Sequence, residues 1–357
     1  MAHEDSATHA QGPGSPPAPP PIVIQTPAGP KPRPWLMRVL LAVLLLSILL
    51  NISLVSKYQD YYGAEGGPRE RFHSGSKTAR DKIALIKIHG TIMPPFTGRI
   101  VKAIRRAAED EDVRGVVLSI DSPGGLVADS HQIYHELTKL RQEKPIYVAM
   151  RRMAASGGYY VAMGAGPEGR LFAEPTTWTG SIGVIIPRYD LRRLAEHVGV
   201  SVDPLKTGPF KDSLSPFREL TPQEREVWEG ILEDAFQRFL RVIAENRSRL
   251  NYDDAKKLAT GQVFVASEAK DKYQLIDEIG YEEDAVEALA EKLGLTEEGY
   301  RVVTYRFQPS LVEFLMGNVR AHESAAPVRQ WLESTVPQAL YYCTWLAAPL
   351  PVESVGE

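Results

Sequence analysis

Two apolar runs, each broken by a glycine-rich turn, limit what this chain can fold into. Gly115-Val116-Val117-Leu118-Ser119-Ile120-Asp121 has the length and branched content of a buried strand, and it stops at Ser122-Pro123-Gly124-Gly125. Residues 145–150 read the same way and lead into Ala154-Ala155-Ser156-Gly157-Gly158. Tyr159-Tyr160-Val161-Ala162-Met163 then continues as an apolar, helix-compatible run. A serine at the start of a helix sits where backbone N–H groups are free and negative charge is favoured. Glycines beside it let a substrate backbone approach closely. Two such strand-to-helix turns can together supply a nucleophile and the donors that hold an oxyanion.

The rest of the folded sequence keeps the same alternation. Residues 83–88 form a strand that stops at Gly90, and 99–108 carry the apolar spacing of an amphipathic helix. A helix follows over 128–141, with Ile133, Leu137 and Leu140 on one face. Further on, 182–186 and 200–205 read as strands around a helix at 191–198. A long helix spans 221–246 with Pro222 in its first turn, and shorter ones cover 253–258 and 284–293. Repeated strand–helix units with buried strands specify an α/β domain built from crossovers.

The chain has 357 residues, enough for one domain with tails and an anchor. Its net charge of −4 and the lack of a basic block exclude nucleic acid as a partner. Cys343 is the single cysteine, so no intrachain disulfide can form. Residues 1–34 are rich in Pro, Ala and Gly and read as a disordered cytoplasmic tail. Residues 35–57 read as a transmembrane anchor, apolar from Val39 to Val55 apart from Ser47, Asn51 and Ser53. Trp35 marks one interface, and Tyr58, Tyr61 and Tyr62 the other. Lys31, Arg33 and Arg38 before the span place the N-terminus in the cytoplasm. The long leading region and the missing small-residue cleavage site argue against a signal peptide. A linker is expected over 58–81, the catalytic domain over 82–306 and a C-terminal extension over 307–357.

A nucleophilic serine needs a base. Eight histidines are present, and triad members need not be close in sequence, so a Ser-His-Asp arrangement stays open. His131 and His135 share a helix face, a weak metal signal that reads better as a solvated face. Lysine is the other option. Residues 205–218 hold Lys206 and Lys211 around a Gly-Pro turn. A lysine can act as a base only when neutral, which requires burial or nearby cations to lower its ordinary pKa of about 10.

These motifs resemble those of the bacterial signal peptide peptidase A family over residues 83–293. The serine motif matches at Ser156, and Gly-Pro-Phe-Lys-Asp followed by Ser-Pro-Phe-Arg matches at Lys211. Thr179-Gly180-Ser181-Ile182-Gly183-Val184 matches the segment where the related Clp subunits carry a catalytic histidine. The resemblance implies a ClpP/crotonase-like fold of repeated strand-strand-helix units and a Ser156–Lys211 dyad. It also implies that Ser181 supports Lys211, that the backbone N–H groups of Gly125 and Gly157 hold the oxyanion, and that no cofactor or metal is used. Short relatives resemble homo-oligomeric rings in which serine and lysine come from neighbouring subunits.

The resulting expectation is a membrane-anchored serine endopeptidase, single-pass in the inner membrane, with its catalytic domain outside the cytoplasm. Its substrates would be apolar peptides, including cleaved signal peptides and fragments of membrane or misfolded proteins. A crotonase-fold acyl-CoA enzyme is one alternative and a catalytically silent membrane scaffold another, but neither explains the serine and lysine motifs. The apolar stretch 339–348 ends in small residues, like a signal peptide core. It reads either as a packing tail or as a segment lying in the substrate groove beside Ser156.

Overall fold

The computed structural model describes residues 34–62, 68–307 and 340–342. Residues 1–33 of the tail expected over 1–34, part of the linker, and most of the C-terminal extension lie outside the described residues. One unit of the chain ends at Tyr61 and the other begins at Tyr62. The helix α1 (Pro34–Tyr62), all but its last residue in the first unit, exposes Leu40, Leu44, Leu46 and Leu49. Among the described residues no helix is long and apolar enough to cross a membrane. Described side chains of α1 stop at Ile52, short of the expected end of the anchor.

The second unit begins with β1 (Arg69–Gly75), β2 (Asp81–His89), α2 (Phe96–Glu109), β3 (Val113–Ser122), β4 (Gly124–Leu126), α3 (Val127–Leu140) and β5 (Ile146–Ala155). Next come α4 (Gly157–Ala162), β6 (Leu171–Ala173), β7 (Trp178–Gly180), α5 (Arg192–His197), α6 (Pro222–Asn246) and α7 (Tyr252–Leu258). The chain continues through β8 (Val263–Val265), α8 (Ala266–Asp271), β9 (Glu278–Ile279), α9 (Glu282–Lys292), β10 (Tyr300–Arg306) and β11 (Leu340–Tyr342). The main sheet runs β1-β10-β2-β3-β5-β6-β9, with β7 and β8 attached to β5 as a side arm. β10, β2, β3, β5, β6 and β9 are parallel, and β1 closes one edge antiparallel.

Period-two patterning sorts the strand side chains to two faces. Ala84, Ile86, Ile88, Val116, Leu118 and Ile120 face the core that includes residues of α2, α3, α4 and α6. Ile83, Leu85, Val117, Tyr147 and Phe172 face α9 through Ala285, Val286 and Leu289. Both faces are therefore covered, as a largely parallel sheet requires. The long helix α6 starts on a capping box, in which Thr221 accepts from the Glu224 N–H and the Glu224 carboxylate accepts from the Thr221 N–H.

Two expected strands do not form. Residues 182–184 are not in a strand, and Ile185 makes only a single bridge to Leu340. Val200, Val202 and Leu205 are apolar yet exposed, and 200–206 pairs with no strand among the described residues. Apolar branched residues favour a strand only where a neighbouring ladder accepts them. Conversely, β1 lies where a linker was expected. Its side chains are all exposed, so no burial pattern reveals it, and backbone pairing with β10 holds it.

A buried carboxylate ties α2 to α3. Arg105 donates twice to Glu136, both at 3.0 Å, and Lys139 adds a third contact at 3.2 Å. The Arg105 hydrogen bonds, with Lys139 helping, pull the Glu136 carboxyl down to about 2. A carboxylate depressed in the folded state stabilises above its ordinary pKa of 4.5, and the gain is lost as pH falls toward 2. Glu136→Gln is expected to lower unfolding free energy by about 1–2 kcal/mol at pH 7, a figure reduced because both cationic partners are half exposed. Denaturant titrations at pH 7 and near pH 2 check this, because the difference should disappear in acid.

Candidate active site

Ser156 follows β5 and caps α4 with φ 53° and ψ −114°. Positive φ at a residue with a Cβ is strained, typically by about 1–3 kcal/mol, and persists only where the surroundings impose it. Here β7 does so, because the Ser156 N–H donates to the Gly180 carbonyl at 2.8 Å. The Ser156 carbonyl accepts from the Tyr160 N–H at 2.9 Å, which fixes the turn into α4. The residue is only 1% exposed, and its Oγ has no hydrogen-bond partner among the described residues. An unpaired buried hydroxyl costs stability unless it has another use.

The Pro-Gly-Gly turn lies against it. The Gly124 N–H donates to Ser122 Oγ at 3.1 Å, and Gly124 has φ 101°. A Cβ on Gly124 would stand 2.6 Å from the Gly157 nitrogen, so no side chain fits between the two turns. On one side of β4, Ile92 N–H donates to the Gly124 carbonyl and Leu126 N–H donates to the Ile92 carbonyl, both at 2.8 Å. By the alternation of a ladder, the N–H and C=O of Gly125 face the opposite side.

Ser181 also has positive φ, at 49°, and is buried. Its N–H donates to the Gln262 carbonyl at 2.7 Å, just before β8. Gln262 carried no sequence signal for this task, because it contributes a backbone atom. Ser130 on α3 was also missed. It is fully buried, its Oγ is unpartnered among the described residues, and a Cβ on Gly157 would lie 2.6 Å from it. The available clue was a polar residue in register with Ile133 and Leu137 on an apolar helix face.

Lys211 lies elsewhere in the chain's chemistry. It is exposed, and the chain does not bring it into hydrogen-bond contact with the Ser156 hydroxyl. Its loop is nevertheless firmly held. Arg218 bridges Asp212 (2.8 and 2.9 Å) and Glu224 (2.5 and 2.9 Å). The Arg218 bonds bring the Glu224 carboxyl down to about 2 and hold Asp212 well below the usual range. Trp228 Nε1 donates to Ser213 Oγ at 2.9 Å, joining the loop to α6. Lys206 donates to Asp212 at 2.7 Å and is part of this brace. His131 Nδ1 pairs with the Tyr160 hydroxyl at 2.8 Å, and no group of metal-ligating residues occurs among the described residues.

The profile of peptidase family S49 matches residues 138–296, and that of Clp protease matches 76–179. "Putative protease slr0021" of Synechocystis is 36% identical over 240 residues, covering 67% of this chain and 84% of its own. This chain belongs to peptidase family S49. "Putative signal peptide peptidase SppA" of Enterococcus faecium is 31% identical over 259 residues, covering 69% of this chain and 73% of its own. "Protease 4" of Salmonella typhi is 33% identical over 251 residues, or 67% of this chain and 39% of that one. The S49 chain is thus a serine peptidase with the mixed α/β fold of Clp protease.

Proposed function

We propose that this S49 peptidase is a membrane-anchored endopeptidase in which Ser156 is the nucleophile and Lys211 of a neighbouring subunit is the base. The Ser156 geometry carries the reading: a buried hydroxyl without a partner among the described residues, on a strained turn and wedged against a glycine pair. Ser156 Oγ attacks the peptide carbonyl and neutral Lys211 takes its proton. The N–H groups of Gly125 and Gly157 hold the oxyanion. The amine leaves with a proton from the lysine, and water then hydrolyses the acyl-enzyme. Ser181 orients the lysine.

Exposed apolar side chains on the Lys211 side of the chain favour an oligomeric ring. Tyr189, Leu194, Val198 and Leu205 lie open there, Leu205 at 99% exposure. The exposed apolar side chains of α1 support a single-pass inner-membrane anchor, and Lys31, Arg33 and Arg38 support a catalytic unit outside the cytoplasm. Apolar peptides such as cleaved signal peptides are the proposed substrates. A crotonase acting on acyl-CoA would use the paired N–H groups but leaves Ser156 unexplained.

A fluorophosphonate probe tests the assignment. It should label Ser156 in the detergent-solubilised full chain, as read by peptide mapping, and leave Ser156→Ala unlabelled. Labelling absent from a folded, assembled wild type would overturn it. Ser181→Ala should keep the nucleophile but lose about tenfold to thousandfold in kcat, because it removes orientation rather than a reacting group. An unchanged kcat would remove Ser181 from the site.

A further inference from the structure

Ser130 belongs to α3, and α3 packs against α4, the helix that Ser156 caps. It shares a face with Ile133 and Leu137, and all three are fully buried. Nothing on that apolar face calls for a hydroxyl. A serine inside a helix usually turns its hydroxyl back onto the carbonyl four residues earlier. Ser130 does not, because its Oγ has no hydrogen-bond partner among the described residues, the Leu126 carbonyl included. Such a hydroxyl costs stability, and alanine would fill almost the same volume without that cost.

The Ser130 oxygen stands against Gly157. A Cβ on Gly157 would lie 2.6 Å from Ser130 Oγ and 3.1 Å from the Gly124 Cα. The Gly157 Cα is thus clamped between a side chain of α3 and the backbone of the turn at β4. Gly157 is the first residue of α4, so its N–H has no carbonyl to bond within the helix. Glycine also has a wider φ range than any other residue. The direction of this N–H is therefore set by rotation about the bonds that flank the Ser156–Gly157 peptide. On one side the Ser156 carbonyl is tied to the Tyr160 N–H at 2.9 Å. On the other, Ser130 Oγ limits the swing of the Gly157 Cα. A C–H directed at a hydroxyl oxygen adds a weak attraction that a methyl group cannot replace.

We infer that Ser130 is a positioning residue of the peptidase site: its hydroxyl oxygen holds the first turn of α4 so that the Gly157 N–H faces the oxyanion. The inference rests on Ser156 being the nucleophile and Gly157 an oxyanion donor. Ser130 acts through Gly157 and not on a reacting atom. Charge on the carbonyl oxygen develops in the transition state, so a donor turned aside slows the reaction and leaves substrate binding as it was.

Ser130→Ala in the detergent-solubilised full chain tests this. On a fluorogenic apolar peptide, kcat should fall about tenfold to hundredfold while KM stays within about twofold. The midpoint of thermal unfolding should be unchanged or higher, because a buried hydroxyl without a partner is removed. Two ligands then separate the oxyanion from the ground state. With a peptide aldehyde, Ser156 Oγ bonds to the carbonyl carbon, the serine proton passes to Lys211 and the carbonyl oxygen becomes the oxyanion. Its inhibition constant should rise by about the factor by which kcat/KM falls. The corresponding peptide amide, measured on chains that carry Ser156→Ala, should bind equally well with and without Ser130→Ala. A packing role alone would move the unfolding midpoint and both ligands together. An unchanged kcat, or equal losses of aldehyde and amide binding, would overturn the inference. A folded wild type that neither hydrolyses the peptide nor binds the aldehyde would overturn the reading of Ser156 and the inference with it. An active wild type matched by Ser130→Ala would overturn the inference alone.

Discussion

Peptide hydrolysis is expected to fall by at least about a thousandfold in Ser156→Ala and in Lys211→Ala, while Lys206→Ala keeps most of the wild-type rate. Nucleophile and base act as a unit, so the loss of either removes the pathway. The two lysines separate because their surroundings differ. Lys206 is held by Asp212, within the brace that Arg218 completes. Its loss leaves the Arg218–Asp212 and Arg218–Glu224 bonds in place, so the loop survives. Lys211 is exposed and takes no part in that brace, so Lys211→Ala should fold and assemble as the wild type does. Initial rates on a fluorogenic apolar peptide, with thermal unfolding as a folding control, check all three variants. Turnover near the wild-type level by folded Lys211→Ala would remove it from the mechanism.

Mixing the two inactive chains should restore activity. A site takes its serine from one subunit and its lysine from the next, which requires a head-to-tail contact that closes into a ring. In an equal mixture of Ser156→Ala and Lys211→Ala chains assembled at random, about a quarter of the sites combine an intact serine with an intact lysine. Activity should therefore rise from background to about a quarter of the wild-type value. The single chain motivates this expectation, because the Ser156 hydroxyl is buried without a partner among the described residues while Lys211 is exposed. Co-assembled mixtures that stay inactive would place both residues in one subunit.

Much of this was legible in the sequence where the signal is local. The turns at Gly124-Gly125 and Ser156-Gly157 stand at the ends of apolar runs, and the structure puts them side by side. The principal helices α2, α3, α6 and α9 follow apolar spacing, and Pro222 marks the start of α6. Elements that depend on distant partners were not legible. β6, β7, β8 and β9 have two or three residues each, too few for a period to register. β1 is held by backbone pairing to β10 across more than two hundred residues of sequence. Val200, Val202 and Leu205 misled because their apolar character suits a surface contact as well as a strand. At the site, Gln262 and Gly180 contribute carbonyl oxygens, which every residue type has.

The fork in β5 has an evolutionary consequence. From Val148 to Met150 the strand pairs with β6, and from Met153 to Ala155 with β7. The trunk of the sheet ends at the first branch, whereas Ser156, Gly180 and Ser181 sit on the second, a small flap of three-residue strands. The exposed flap positions Trp178 and Val265 can vary without touching the core, whereas Thr179 and Phe264 of the same flap are buried. A scaffold divided in this way can lend one frame to unlike reactions, since inheritance of the frame and innovation at the site fall on different strands.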